Sequence, residues 1–195
     1  MFGQMLLAAR QRLQGRSPAG IAANAGLCYD AEAACFRLTS LDTEFGISWP
    51  ELKIDPEPEG WHSLLMLHYM DLADGAPLTG KLVPFGQLKN GMVRGGGFDR
   101  SCEGALQALM MQMDEEELAR RCLSMGGRIV ESNADFSAEL FFLPELPVTL
   151  KLWFADEDFP ASGRMLLDES ADHYLTIEDA VTVGDIILAR LVKSS

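Results

Sequence analysis

The sequence predicts an α+β fold: an antiparallel sheet, made of a hairpin near 35–54 and a meander near 136–168, packed with several helices. Three observations carry this. Apolar and polar residues alternate at period two across both stretches, as half-buried strands require. Apolar residues recur at helical spacing before, between and after them. Short turns join the strands to one another, and such turns pair strands antiparallel.

The elements follow in order. Met5, Ala8, Ala9 and Leu13 recur at helical spacing, and Gly15 ends that helix. Ser17-Pro18 is a cap followed by proline at the first helical position, opening an Ala-rich helix that Gly26 stops. Residues 35–39 and 45–49 read as two strands joined by the Leu41–Glu44 turn. Asp55-Pro56-Glu57-Pro58-Glu59-Gly60 is a rigid polar connector. Trp61 to Ala73 reads as a helix with Trp61, Leu65, His68 and Leu72 on one face. Ala76 to Gly97 reads as a long irregular excursion, with a short strand near Lys81–Pro84 and a glycine hinge at Gly95-Gly96-Gly97. Helices resume at about Ser101, and Asp114 with Glu117 forms a near capping box for the second of them.

Phe136 to Leu143 is a strand, and Pro144–Pro147 turns the chain. Val148, Leu150, Leu152 and Phe154 then alternate against Thr149, Lys151 and Trp153. Gly163 to Asp168 is a third strand of the meander, and Thr176 with Asp179 caps the final helix. The whole reads as one domain, 1–195, with a helical N-terminal extension at about 1–26.

With 16 Lys+Arg against 29 Asp+Glu, the formal net charge is −13. Binding to nucleic acid or to an anionic membrane needs clustered cations, so both are excluded as partners. The opening residues lack the pattern of a secretory signal, and no stretch approaches the ~18 apolar residues of a membrane span. Cys28, Cys35, Cys102 and Cys122 form no CxxC pair and have no histidine at ligand spacing. They read as buried, reduced thiols of a cytoplasmic protein, with a Cys28–Cys35 bridge as the alternative.

The densest acidic feature is Asp156-Glu157-Asp158, bracketed by Trp153 and Phe159 after the end of a strand. Asp168, Glu169 and Asp172 follow the next strand end. Clustered carboxylates either bind a hard cation or repel one another, which raises a pKa. Asp156, Asp168 and His173 are therefore the candidate metal set, and Trp153, Asp156, Glu157, Asp158, Phe159, His68 and Tyr69 the candidate binding residues. The bland alternative is a solvated acidic turn, with His68 as a hydrogen-bonded core residue. Trp153 is either covered by a helix or open to a partner. Gly95–Gly97 lacks the surroundings of a phosphate loop, and no Gly-x-Ser-x-Gly elbow occurs. Met110, Met111, Met113 and Met125 fall at helical spacing; core packing is their default role and adaptable binding the other.

Several segments together carry a family resemblance. They are Leu64–Met70, Pro77–Phe85, Leu146-Pro147-Val148, Leu152-Trp153, Asp156–Ala161, Leu166-Leu167-Asp168 and Tyr174-Leu175, in that order. The chain resembles a domain-of-unknown-function family, number three-seven-eight-six, of anaerobic bacteria and archaea. The resemblance runs from about Leu27 to the C-terminus, and Trp153-x-x-Asp156-Glu157-x-Phe159-Pro160 is its most specific part. Asp158 stands where that pattern more often has Glu. The resemblance implies a companion of anaerobic one-carbon and corrinoid metabolism. Some such proteins are fused to iron–sulfur modules, but this chain has no matching cysteine cluster, so no iron–sulfur cluster of its own is expected. The expected function is a cytoplasmic accessory domain that binds a small-molecule ligand or a protein partner, with a corrinoid or a divalent metal as the cofactors to consider. Two alternatives stand beside it: an enzyme using Asp156, Glu157 and Asp168 for metal-assisted or acid–base chemistry, and a purely structural subunit.

Overall fold

The structure, a computed structural model, describes residues 2–193. It is α+β with antiparallel strands, but the strands form two sheets where the pattern predicted one. The first sheet holds β1 (Cys28–Asp30), β2 (Cys35–Ser40), β3 (Thr43–Ser48) and β4 (Ile54–Asp55), in that order. The second holds β5 (Leu82–Val83), β6 (Arg128–Ile129), β7 (Phe136–Leu143), β8 (Leu146–Trp153) and β9 (Ser162–Asp168), ordered β5-β9-β8-β7-β6. The reason for two sheets lies at the hairpin's edges. β1 covers the free side of β2 and β4 covers that of β3, so neither edge is left for the meander. The sheets abut at one corner instead. There Leu41 N–H donates to Phe141 O at 2.9 Å, and Ser40 Oγ donates to Phe142 O at 2.5 Å.

The helices are α1 (Phe2–Leu13), α2 (Pro18–Ala25), α3 (His62–Leu72), α4 (Gly91–Met110), α5 (Glu115–Ser124) and α6 (Ile177–Lys193). The expected caps form: Ser17 Oγ accepts Gly20 N–H, Asp114 Oδ1 accepts Glu117 N–H at 2.9 Å, and Thr176 and Asp179 bond reciprocally. In the N-terminal segment, Ala9 and Leu13 of α1 are fully buried. Arg12 and Arg16 hold Asp71 of α3 at 2.5 and 3.1 Å.

Two expectations are corrected. The stripe Trp61, Leu65, His68, Leu72 is not the buried face of α3, because Trp61 is 48% and Leu72 42% exposed. Of that stripe Leu65 is buried, and Leu64, Met66, Leu67 and Met70 are buried with it, on several sides at once. A helix apolar all round belongs in the interior, and α3 is packed between α1, α2 and α6.

The glycine hinge is also not one. Gly95, Gly96 and Gly97 lie inside α4, which starts at Gly91. Consecutive glycines cost helix stability, and here a packing demand outweighs that cost. A Cβ at Gly91 or at Gly95 would sit 2.2 Å from the carbonyl oxygen of Phe85. The 3₁₀ turn at Phe85–Gln87 therefore rests on bare helix backbone. Asp99, one turn further along α4, accepts Phe85 N–H at 3.0 Å and Gly86 N–H at 2.8 Å and straps the turn down.

α4 packs against β9. Val148, Leu150, Leu152, Met165 and Leu167 form the sheet's core face and are almost wholly buried. The opposite face of β8 and β9 presents Lys151, Trp153, Arg164 and Leu166, which line a groove.

Candidate functional site

The groove has a volume of about 730 Å³. Its floor follows from strand pairing. Lys151 lies opposite Arg164 and Trp153 opposite Ser162 in the β8–β9 register, so all four share one face. Its walls are two loops. One, between β6 and β7, is tied to β8 by three bonds: Lys151 Nζ to Asn133 Oδ1 at 3.0 Å, Trp153 Nε1 to Asn133 O at 3.2 Å, and Phe154 N–H to Asp135 Oδ2 at 2.9 Å. The other runs from Phe154 to Ala161. Asp156 Oδ1 accepts Asp158 N–H at 2.9 Å and Phe159 N–H at 2.7 Å, which curls this loop and leaves Phe159 70% exposed at its tip.

Two cations directly opposite one another across an antiparallel pair repel. Lys151 has only the Asn133 amide oxygen as its partner, and Arg164 has no ion pair among the described residues. Three carboxylates line the groove: Asp135 and Asp156 are engaged with backbone N–H groups of the loops, and Glu103 of α4 forms no ion pair among the described residues. The floor thus offers cationic donors beside an aromatic wall of Trp153, Phe154 and Phe159.

The candidate residues divide accordingly. Trp153, Asp156 and Phe159 line the groove, whereas Glu157 and Asp158 are exposed on the same loop. Trp153 is half-buried, between the two expected extremes. His68 and Tyr69 do not join them. His68 Nδ1 pairs with Asp179 Oδ1 at 2.8 Å, where α3 meets α6. Tyr69 is fully buried; its hydroxyl donates to Ala25 O at 2.7 Å and accepts Glu145 N–H at 3.0 Å, and its ring stacks on Tyr174 at 5.5 Å. Burial pushes the Tyr69 phenol pKa well up, so it stays neutral.

The set Asp156, Asp168, His173 is not brought together. β8 and β9 are antiparallel, so the loop after β8 and the loop after β9 leave opposite ends of the sheet. Five residues separate Trp153 from Val148, whose partner Leu167 precedes Asp168; that is roughly 17 Å of strand. Among the described residues no group of three His, Cys, Asp or Glu could hold a metal ion. Asp168 instead accepts from Thr79 N–H and Oγ1, Gly80 N–H and Ser170 N–H at 2.7–3.0 Å, pinning the Thr79–Gly80 loop to the sheet. Burial raises its carboxyl pKa, but these bonds outweigh burial and hold it at about 2. His173 pairs with the exposed Asp74 at 2.7 Å. The cysteines are all free, with no Cys28–Cys35 bridge; Cys102 and Cys122 are buried, but the expected burial fails for Cys35, which is half-buried, and for Cys28, which is exposed on the edge strand β1.

Lys151, Arg164, Asn133 and Asp135 were absent from the sequence-based set. The alternation in β8 placed Lys151 on the face of Trp153, but only the register with β9 brings Arg164 beside it.

A second polar cluster lies at the sheet–sheet corner. His62 Nε2 is 2.7 Å from Ser40 Oγ. Because that hydroxyl gives its proton to Phe142 O, the network assigns the imidazole proton to Nε2. Burial, with Arg190 nearby, lowers the His62 pKa to about 4.

A family model described as a domain of unknown function, DUF3786, matches residues 17–190, from the cap of α2 to near the end of α6. No curated protein and no solved structure matches the chain. On a match that covers most of its length, the chain belongs to the DUF3786 family.

Proposed function

We propose that this chain is a binding module that holds a small anionic ligand with a flat ring system on the outer face of β8 and β9. The observation that carries the reading is the Lys151–Arg164 pair, two facing cations with no carboxylate bonded to either among the described residues, set beside Trp153. A carboxylate or phosphate placed between them would relieve their repulsion and gain charge-assisted hydrogen bonds, and Trp153 would stack on the ring. A volume of about 730 Å³ falls in the range usual for small-molecule sites. The resemblance drawn above supports an accessory role in anaerobic one-carbon or corrinoid metabolism, so a folate and a corrinoid are the first ligands to try. The enzyme alternative loses its geometry, because Asp156 and Asp168 stand at opposite ends of the sheet.

The test is a titration of the full chain with folic acid, cobyrinic acid (a corrinoid with free peripheral carboxylates) and an anilinonaphthalene sulfonate dye, each followed by calorimetry. At least one should bind saturably, and Arg164→Ala with Lys151→Ala should weaken it roughly hundredfold, the worth of two charge-assisted hydrogen bonds at about 1.5 kcal/mol each. Affinity unchanged in that double variant would sink the reading, as would failure of all three probes to bind.

A further inference from the structure

Beside the groove, and sharing Phe154 and Phe159 with its wall, lies an apolar shelf whose methionines the ligand reading does not use. α4 ends at Met110, and the chain crosses Met111, Gln112 and Met113 before Asp114 caps α5. Met111 is 86% exposed, while Met110 and Met113 are half-buried against the core. Met110, Met111 and Met113 border an open depression together with Phe154, which also lines the groove. The shelf therefore continues through Phe154 to the exposed ring of Phe159. Methionine side chains are flexible and polarisable and can fit more than one apolar shape. A contiguous exposed apolar patch marks an interaction surface.

Acidic residues stand at both ends of this shelf. Asp114, Glu115 and Glu116 are exposed on the Met113 side, and Asp156, Glu157 and Asp158 on the Phe159 side. Asp114 and Asp156 accept backbone N–H groups, and none of the six forms an ion pair with Lys or Arg among the described residues. Glu117, one residue on, differs: it binds Arg120 and Arg121, and those bonds hold its pKa down at about 2.

We propose that this shelf docks a basic amphipathic helix from a partner protein. Charge complementarity selects the occupant. An apolar strip with carboxylates at either end fits a helix whose apolar stripe is flanked by Lys and Arg. A second copy of this chain would bring its own acids and its net charge of −13 against them. An anionic membrane is repelled for the same reason.

The test uses the full chain and a synthetic Leu/Lys/Arg peptide of about five helical turns. Two control peptides accompany it: one of the same composition with its order scrambled so that no apolar face forms, and one with every Lys and Arg replaced by Glu. The amphipathic basic peptide should bind one per chain, and each control about tenfold more weakly or not at all. Met111→Glu and Phe159→Glu should each weaken binding about tenfold, with unchanged melting temperature because both side chains are exposed. Met92→Glu, equally exposed but about 27 Å away at the start of α4, should leave it unchanged. Arg164→Ala should not weaken it, which separates this surface from the groove and lets either reading fail alone. Equal binding of the scrambled peptide, loss of binding in Met92→Glu, self-association of the chain through Met111, or no binding of the amphipathic peptide would each overturn the proposal.

Discussion

At the residue scale, His62 converts a packing choice into acid sensitivity. Its folded pKa of about 4 lies below the ordinary 6.5, so as pH falls the unfolded chain takes up the proton first. Its contribution is complete above pH 6.5 and is lost as pH falls from there to 4. A shift of this size corresponds to about 3 kcal/mol. His62→Gln keeps an N–H donor for Ser40 but does not titrate. That variant should show a flatter fall in melting temperature across this window than the parent chain; an equally steep fall would assign the acid sensitivity to another group. Asp168 acts in a lower window: its depressed pKa gives stability that is present above the ordinary carboxylate value and lost as pH falls through about 2. The sequence showed neither role. Ser40 and Phe142, which define the surroundings of His62, lie in different sheets, and Thr79, which fixes Asp168, lies in a loop far back along the chain. Periodicity reads faces of single elements. It does not read which side chain from elsewhere completes a hydrogen-bond set.

At the scale of elements, the legible parts are those with a strong local signal. Phe136–Leu143 keeps its expected bounds because alternation ends at Pro144, and the caps at Ser17, Asp114 and Thr176 were readable because their partners are three residues away. The start of α4 was not legible. Gly95-Gly96-Gly97 is a breaker by propensity, and only the Phe85 carbonyl against the helix backbone explains it. This separates two glycines of one helix. Gly95→Ala forces a methyl to within 2.2 Å of the Phe85 oxygen and should destabilise the fold by about 2–4 kcal/mol, as overpacking against backbone does. Gly97→Ala meets nothing within 4 Å and should stabilise by about 0.5–1 kcal/mol through helix propensity. Denaturant melts of the two variants decide this, and equal effects would show that the Phe85–Gln87 turn yields. The separation of Asp156 from Asp168 belongs to this scale too: both follow strand ends in sequence, but antiparallel pairing sends successive strand ends to opposite edges.

At the scale of the whole molecule, the charge of −13 is locally arranged. Some acids are absorbed by structure: Asp71 holds Arg12 and Arg16, Glu117 holds Arg120 and Arg121, and Asp168 and Asp99 accept backbone N–H groups. Others remain exposed on the loops around the Met–Phe shelf. Self-repulsion of the excess charge opposes the compact state. Raising NaCl from about 0.02 to 0.3 M should therefore raise the melting temperature by a few degrees while weakening the basic peptide on the shelf. Scanning calorimetry and the peptide titration in the same buffers check this, and movement of both in the same direction would contradict the charge distribution drawn here. The seat of α4 has a mechanical consequence. Where Gly91 and Gly95 meet Phe85 O there is no side-chain layer, so no rotamer can absorb a change in spacing. The helix must respond as a rigid lever about that fulcrum. Its arm to Met110 is roughly 25 Å, so a tilt of about 5° at the glycines displaces the methionine end by about 2 Å.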